Sequence, residues 1–403
     1  MTSAASAVPV RSVYVHAPFC ARRCQYCDFA VQVRRVGDVD GWTAALAGEL
    51  RAVSRDGCFP LAPALDTLYV GGGTPSLLGP DCMEALARLL GPDRLADPAL
   101  EWTAEANPES FSPEVAAAWR AAGVNRVSLG LQSFTESALR WMGRLHGPDG
   151  ARRAVEIARR AGFDDLSVDL MFALPDEANR VWKADLDAAL ALEPPHVSLY
   201  GLTLEVGTPL GKSVAEGRVR AASEERYREE YLYAVECLTA AGYVHYEVSN
   251  FARSGHDSRH NRVYWGGVAY LGIGNGAHSF SEPLRRWNLR DWDDYARVAA
   301  TGELPVASQE VVGAAARQLE RVWLWLRTDH GVPCDQLNGP ARRVARRWLK
   351  TGLALRSDED GQGRLRLTPA GWLLLDRLAV DLDHALGGVP EERDQEPVRG
   401  YYL

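Results

Sequence analysis

Hydrophobic and polar positions follow two alternating periods along the first 250 residues of the chain. Short apolar runs typical of strands lie at residues 12–16, 65–70, 101–105, 125–131, 164–171 and 196–202. Between these runs apolar residues recur every three or four positions, as they do from Trp42 to Val53, and this predicts amphipathic helices. Several predicted helices end at a glycine, which suits a left-handed C-terminal cap. Strands alternating with helices form parallel βαβ units, so the pattern predicts an α/β fold.

The same pattern leaves two architectures open, because an open doubly wound sheet and a barrel are both built from parallel βαβ units. After about residue 300 the pattern changes. It predicts helices at 311–327 and 340–351, a hairpin at 353–367, and a last helix opened by Thr368 and Pro369. This order of elements predicts a smaller, winged-helix-like α+β domain at the C-terminus.

Composition narrows the class of protein. The 403 residues are 46% hydrophobic and 24% charged, as in soluble globular proteins, and the formal net charge is −8. We therefore expect no nucleic-acid partner, and the basic stretch near residues 342–350 is interpreted as a solvated helix face. No apolar run is long enough to span a bilayer, no signal peptide is recognised, and the seven cysteines are an odd number. These features favour a reduced, cytoplasmic protein.

Three cysteines lie within eight residues. Cys20, Cys24 and Cys27 have the spacing C-x3-C-x2-C. Thiolates are soft ligands that suit zinc or iron–sulfur clusters. A structural zinc site requires four protein ligands, for which His16 is the nearby fourth donor, so a zinc-binding structural protein stays an alternative. Three thiolates on a four-iron cluster leave one iron open, and the spacing therefore predicts a [4Fe–4S] cluster that can bind a further ligand.

The cysteine motif, with an aromatic residue before its third cysteine and a strand before the first, resembles the signature of the radical SAM superfamily. The resemblance implies that the open iron binds S-adenosylmethionine (SAM), which the reduced cluster cleaves to a 5′-deoxyadenosyl radical. It also implies a partial (β/α)6 barrel followed by the smaller domain. The residues that match the superfamily's SAM-binding motifs are Tyr14, Tyr26, Gly72, Gly73, Thr74, Glu105, Gln132, Arg144 and Asp169.

A longer set of motifs resembles the oxygen-independent coproporphyrinogen III oxidase group over residues 11–385. The motifs are Y-x-H-x-P-F-C, G-G-G-T-P-S, E-x-N-P, L-G-x-Q-S-F and D-L-M-x-x-L-P. The dehydrogenases of this group carry a fourth cysteine two residues after the third, where this chain has Phe29, and a longer N-terminal segment. Both differences favour the heme chaperone branch, HemW. Oxidative decarboxylation of coproporphyrinogen III remains the alternative, and the resemblance leaves open whether the chain is an enzyme.

Residues 260–265 read His-Asn-Arg-Val-Tyr-Trp and resemble the H-N-x-x-Y-W motif to which heme binding is ascribed in that branch. The resemblance implies that His260, Asn261, Tyr264 and Trp265 bind heme. An imidazole can be an axial ligand of heme iron, and aromatic rings can stack on the macrocycle. The expected partners are heme and apo-hemoprotein acceptors, which include acceptors at the membrane surface, and a homodimer is compatible with the resemblance.

The sequence around this motif adds two expectations. The glycines at 272, 274 and 276 predict close approach of the backbone to a ligand, and His245 and His278 are alternative iron ligands. The chain then divides into a disordered tail (1–10), a radical SAM core (11–245), a heme-motif extension (246–300), a C-terminal domain (301–385) and a second tail (386–403).

Overall fold

The computed structural model describes residues 8–358, 361 and 363–387. These residues belong to two units, and the boundary along the chain lies between Val311 and Val312. The tails predicted at 1–10 and 386–403 lie largely outside the described residues. Val10, however, is fully buried, and its backbone N–H donates to the carbonyl of Pro60 at 2.7 Å. The disorder predicted for residues 1–10 is therefore wrong at Val10, because burial and pairing fix its position.

The first unit contains fourteen strands and ten helices among its described residues. The strands are β1 (Ser12–Ala17), β2 (Phe19–Cys20), β3 (Gln32–Val33), β4 (Thr67–Gly72), β5 (Glu101–Ala106), β6 (Arg126–Gln132), β7 (Asp165–Phe172), β8 (His196–Gly201), β9 (Val244–Glu247), β10 (Asn250–Ala252), β11 (Leu271–Ile273), β12 (His278–Ser281), β13 (Leu284–Asn288) and β14 (Val306–Val311). The helices are α1 (Val39–Asp56), α2 (Cys82–Leu90), α3 (Pro113–Ala122), α4 (Glu136–Met142), α5 (Pro148–Arg160), α6 (Trp182–Leu190), α7 (Pro209–Ala215), α8 (Glu224–Ala240), α9 (Arg259–Trp265) and α10 (Trp292–Thr301).

The central sheet has nine strands in the order β11-β1-β4-β5-β6-β7-β8-β10-β9. Its six middle strands are parallel and are the six that the sequence predicts. β11 adds a further parallel strand beside β1, whereas β10 and β9 are antiparallel additions at the opposite edge. This is the predicted mostly parallel, partial-barrel architecture. β11 and β9 are the two edge strands of the sheet.

Alternation along the strands produces a polar interior. Val13 and Val15 are fully buried, and Tyr14 and His16 point to the opposite face of β1. In-register pairing places the polar positions of neighbouring strands side by side, as with Tyr14 and Tyr69. The polar interior residues from the following strands are Glu101, Thr103, Glu105, Arg126, Ser128, Asp165, Ser167, Asp169, His196 and Ser198. The barrel therefore encloses a column of hydrogen-bonding groups rather than a purely apolar core.

The second unit contains α11 (Ala314–Arg327), β15 (Val332–Pro333), α12 (Gly339–Lys350), β16 (Ala354–Ser357), β17 (Arg364–Leu367), α13 (Pro369–Trp372) and α14 (Leu375–Leu386). Its sheet has the antiparallel order β15-β17-β16. The predicted hairpin is present as β16 and β17, although residues 359, 360 and 362 of its turn lie outside the described residues. Thr368 caps α13, at the predicted start of the last helix, by accepting from the Gly371 N–H at 3.2 Å.

Two predicted helices of this unit differ from the structure. The helix predicted at 311–327 begins at Ala314, because Val306–Val311 form strand β14 instead. The single last helix is two helices, α13 and α14, separated at Leu373 and Leu374. Within the described part of the chain, no helix has both the length and the apolar character needed to cross a membrane.

Candidate functional site

The three clustered cysteines lie at the end of β2 and on the segment that follows it: Cys20 is the last residue of β2, and Cys24 and Cys27 lie in the loop between β2 and β3. Those two short strands run parallel, and the N–H of Arg34 donates to the carbonyl of Cys20 at 2.9 Å. All three thiols are free and half-buried. Burial raises the pKa of Cys20 to about 12, although a hydrogen bond from Thr74 opposes the shift, and burial also raises the pKa of Cys27. Such thiols stay protonated at neutral pH until a metal displaces the proton.

The set of donors fits a cluster with one open iron. It offers three soft thiols on one loop, and Thr74 donates its hydroxyl proton to the sulfur of Cys20 at 3.5 Å. His16, the fourth ligand of the zinc alternative, is 5% exposed and uses both ring nitrogens. Its Nε2–H donates to the carbonyl of Ala30 at 2.9 Å, and Nδ1 accepts from the Tyr14 hydroxyl at 3.1 Å. His16 therefore positions the loop in this structure and is not a free ligand.

Two residues late in the sequence of the first unit, Asn275 and Arg290, also hold the cysteine loop. Asn275 Nδ2 donates to the carbonyl of Ala30 at 2.9 Å and to the carbonyl of Arg290 at 3.0 Å. The guanidinium of Arg290 in turn donates to the carbonyl of Asp28. The sequence did not predict this role for Asn275. Its only signal was the glycine-rich stretch around residue 275.

Those glycines approach the protein's own backbone. Gly274 has φ of +101°, and a Cβ at this position would lie 2.8 Å from the carbonyl oxygen of His16. A Cβ at Gly272 would lie 2.0 Å from the carbonyl oxygen of His278. The expectation that this stretch approaches a ligand is therefore wrong at these two positions, because neighbouring backbone already fills the space.

A hydrogen-bonded chain runs from Cys20 to Arg144. Thr74, which donates to Cys20, accepts from Asn107 Nδ2 at 3.0 Å, and Asn107 Oδ1 accepts from Arg144 at 2.6 Å. Arg144 also donates to the carbonyl of Gly130 at 2.7 Å. Burial opposes its charge, but Tyr26, Glu109 and Cys24 together raise the pKa of Arg144. Asn107 was missed as a site residue, although it is the asparagine of the E-x-N-P motif.

Glu105 lies beside the glycine loop that follows β4. Its Oε2 accepts from the Gly72 N–H at 3.1 Å, and its Oε1 accepts from the Tyr69 hydroxyl at 2.7 Å. Burial and, to a smaller extent, the nearby Asp169 raise the pKa of Glu105 to about 7, although the two hydrogen bonds oppose this shift. Gly72 has φ of +108°, and a Cβ there would meet the His16 ring at 2.3 Å. The structure thus brings Tyr14, Gly72 and Glu105 together.

The other predicted SAM residues lie in or beside the same interior. Asp169 accepts from Ser128 at 3.0 Å and from Ser167 at 3.4 Å, and burial raises its pKa to about 6. Gln132 ends β6 in a left-handed conformation with φ of 64°, which is unusual for a residue with a side chain. Tyr26 packs against the buried cluster of α4 and β7 that contains Met142.

The predicted heme motif forms helix α9 at the other end of the barrel. Its first two N–H groups, those of Arg259 and His260, donate to the carboxylate of Glu101, the first residue of β5, at 2.9 Å each. His260 is 1% exposed. Its Nδ1 bonds with the hydroxyl of Thr67 and its Nε2 with that of Tyr264, both at 2.8 Å. An iron ligand role would require His260 to give up one of these bonds.

The remaining residues considered for heme are half-buried or buried. Asn261, Tyr264 and Trp265 are half-buried on α9. His245 is buried and stacks on Phe251, and burial lowers its pKa to about 3. His278 stacks on Trp287, and burial lowers its pKa to about 4. Thr67, which contacts His260, and Gly72, which contacts Glu105, begin and end β4 and are separated by roughly 17 Å, or five strand intervals.

A mostly parallel α/β sheet with a three-cysteine loop after its first strand defines a radical SAM protein, and residues 14–189 match the radical SAM superfamily. The chain belongs within it to the HemW family of heme chaperones. It is 40% identical over 375 residues to "Heme chaperone HemW" of Mycobacterium tuberculosis (strain ATCC 25618 / H37Rv), covering 92% of this chain and 94% of the relative. The corresponding protein of Escherichia coli (strain K12) is 37% identical over 278 residues, which cover 67% and 70% of the two chains.

One solved structure agrees with this fold over most of its length. The coproporphyrinogen III oxidase HemN from Escherichia coli, described as a radical SAM enzyme, superimposes with a TM-score of 0.73 over 94% of this chain and 91% of its own. The sequence identity is 21%, so this likeness concerns the architecture alone.

Proposed function

We propose that the chain is a cytoplasmic heme chaperone, which binds heme, a [4Fe–4S] cluster and SAM and passes heme to apo-hemoproteins. Its relatives named as heme chaperones include proteins 33–40% identical to it over most of its length. Acceptors at the membrane surface and a homodimeric state remain predictions of the family resemblance.

In this proposal Cys20, Cys24 and Cys27 hold the cluster and leave one iron for SAM. Bound there, a reduced cluster would supply one-electron chemistry toward SAM. The chain's own residues adjust the surroundings, since Thr74 donates to the sulfur of Cys20 and Arg144 places positive charge beside Cys24. Both interactions stabilise negative charge on the thiolate ligands.

SAM binding is assigned to the residues at the carboxyl ends of the parallel strands, where ligands of such sheets bind. Glu105 would accept hydrogen bonds from the amino group of SAM, together with the backbone at Gly72 and Gly73. Arg144 suits a carboxylate. Gln132, Asp169, Tyr14 and Tyr26 complete the predicted set.

Phe29 is the observation that favours a chaperone function over an oxidase function. It occupies the place of the fourth cysteine of the coproporphyrinogen dehydrogenases and is 49% exposed.

An anaerobic assay on the reconstituted protein tests the proposal. Heme should bind stoichiometrically with or without SAM and should appear in an added apo-cytochrome, measured by its absorption spectrum. Coproporphyrinogen III should be recovered unchanged in the presence of SAM and a reductant. Repeated turnover to protoporphyrinogen IX would instead establish the oxidase alternative. Purified protein that contains zinc in place of iron and sulfide would establish the structural zinc alternative.

A further inference from the structure

The segment that carries the three cysteines presents a group of exposed side chains on its outer side. The parallel pair of β2 and β3 places Val33 opposite Cys20, and other members of the group lie between or just after the cysteines in the sequence. We call this group the loop surface. Its six residues are Arg22, Arg23, Phe29, Val33, Arg35 and Val36.

Half of the loop surface is apolar. Phe29, Val33 and Val36 are 49%, 55% and 76% exposed. Phe29 follows Cys27 by two residues, and Val33 pairs with Cys20, so the apolar area lies beside two of the three thiols. Exposed apolar side chains that are grouped and bordered by charges are typical of interaction sites.

The other half of the loop surface consists of arginines. Arg22, Arg23 and Arg35 are exposed, and none of their guanidinium groups makes a hydrogen bond or an ion pair with a described residue. Each guanidinium therefore keeps its five N–H donors for a partner outside the chain. Carboxylates are the groups that such donors bind with two parallel hydrogen bonds.

The carboxylates near the loop surface already have partners. Asp28 lies 3.5 Å from Arg290, and Asp38 lies 3.3 Å from Arg34. Asp293 accepts from the glutamine of β3 at 3.4 Å. The three arginines of the loop surface are therefore not neutralised by these acids. They form a locally positive area on a chain whose formal net charge is −8.

An acidic electron-carrier protein matches this combination of charge and place. A cluster on the three cysteines must receive its electron from outside the chain, and the loop surface is the exposed side of the segment that would hold it. The net negative charge of the chain repels an acidic carrier, whereas the local arginines attract it, so the electric field favours one orientation of encounter. Electron-transfer contacts are small, typically below about 1,200 Å², and a surface of this size is sufficient.

We propose that the loop surface is the docking site of an acidic one-electron carrier protein that reduces the cluster. This inference rests on the proposed function and names the reductant by its chemical class. The carrier is oxidised by one electron, the cluster is reduced by one electron, and no bond forms or breaks. The arginines orient the carrier, and Phe29, Val33 and Val36 exclude water from the centre of the contact.

Reduction of the anaerobically reconstituted full-length protein by flavodoxin hydroquinone, followed by stopped-flow absorption, tests the docking site. Arg22→Glu and Arg23→Glu should each lower the second-order rate constant about tenfold at low ionic strength, and less than about twofold at about 0.5 M NaCl. Their affinity for oxidised flavodoxin should fall in parallel, with or without the cluster. Val36→Ser should weaken flavodoxin binding by about threefold at both salt concentrations.

Arg51→Glu is the matched control. Arg51 is an exposed arginine on α1, about 18 Å along the helix from its first residue, Val39. The variant makes the same change of charge away from the loop surface and should reduce and bind as the wild type does. Arg22→Glu and Arg23→Glu variants that behave as Arg51→Glu does would overturn the docking site.

Photoreduced 5-deazariboflavin separates docking from damage to the cluster. This small donor needs no docking surface and should reduce the wild type and all variants at equal rates. Slowing of the arginine variants with both reductants would overturn the docking role, and so would variants that slow only the transfer of heme to an apo-cytochrome. Iron and sulfide in the wild type leave the proposed function standing in either case. A wild-type protein that assembles no cluster would refute the proposed function itself.

Discussion

The hydroxyl of Tyr69 donates a 2.7 Å hydrogen bond to Oε1 of Glu105. The ring of the same tyrosine stacks on His260, with centroids 5.2 Å apart and planes inclined by 25°. His260 belongs to the predicted heme motif, and Glu105 to the predicted SAM site. One side chain in the middle of β4 therefore contacts residues assigned to both ligands, and its hydrogen bond can be removed without removing its ring.

Tyr69→Phe should shift the pH dependence of SAM binding. The hydrogen bond from Tyr69 lowers the pKa of Glu105, which burial has raised to about 7. Without that bond the pKa rises further, and a larger fraction of Glu105 is protonated at neutral pH. If the carboxylate binds SAM, the midpoint of binding should move up by about one pH unit, with about fivefold weaker binding at pH 7. Anaerobic calorimetry on reconstituted protein between pH 6 and 9 measures this.

Tyr295→Phe is the matched control for that experiment. Tyr295 donates a 2.6 Å hydrogen bond to Glu49, a second buried carboxylate whose pKa burial raises to about 7. Each variant removes a tyrosine hydroxyl that donates to a buried carboxylate, so both should lower the free energy of unfolding by comparable amounts. Only Tyr69→Phe should move the midpoint of SAM binding. Equal midpoints in the wild type and in Tyr69→Phe would remove Glu105 from the SAM site.

Asp169→Asn should make the free energy of unfolding less sensitive to pH. Burial raises the pKa of Asp169 from 3.8 to about 6 in the folded protein. An acid whose pKa is higher in the folded than in the unfolded protein adds to the free energy of unfolding below its unfolded pKa. This contribution is lost as the pH rises through its folded pKa. The variant does not titrate there, so its advantage over the wild type should grow by about 1–2 kcal/mol between pH 5 and pH 8.

Urea unfolding of the apo-protein at both pH values measures that difference. Ser128, Ser167 and Ser198 surround the side chain, and their hydroxyls can turn to accept from the new amide. A parallel pair of curves, with the same difference at pH 5 and pH 8, would mean that Asp169 is already ionised in the folded protein at pH 5.

The sequence predicted the features that rest on a repeating hydrophobic pattern or on one short motif. The six central strands follow from apolar runs, and the cysteine cluster follows from spacing in one loop. β11 was not predicted, because three residues within a glycine-rich stretch have too little periodicity to stand out. Its glycines instead suggested a ligand, and only the folded chain reveals that the backbone of His16 and His278 fills that space.

Contacts between distant residues were also beyond prediction. Tyr69 occupies an ordinary strand position, yet register places it between Glu105 and His260. His260 resembled an iron ligand because its motif was complete, but the motif does not reveal that its ring is buried or that Nδ1 is bonded to Thr67, which is 193 residues away. Asn107 and Asn275 likewise acquire their roles from partners in other elements. A sequence pattern identifies residue types, whereas these assignments depend on which side chains the barrel brings into contact.

Replacing any one clustered cysteine with serine should abolish the cluster. Cys20→Ser, Cys24→Ser and Cys27→Ser each leave two soft ligands, too few to hold four irons against chelation. Iron and sulfide content after anaerobic reconstitution should fall below about a tenth of the wild-type value. Cys237→Ser, which changes an isolated thiol on α8, should keep the full content. Retention of both elements in all three loop variants would contradict the cluster assignment.

Asn275→Ala should shorten the lifetime of the cluster in air. Asn275 joins the carbonyls of Ala30 and Arg290, so its loss frees the end of the cysteine loop and leaves two carbonyls with one donor fewer. The cluster absorbance should bleach several-fold faster.

Asn125→Ala is the matched control for this prediction. Asn125 Nδ2 donates to the carbonyl of Leu100 and its Oδ1 accepts from the Trp102 N–H, far from the loop. Both variants should lose about 1–3 kcal/mol of stability. If bleaching accelerates equally in both, general destabilisation rather than loop anchoring explains the effect.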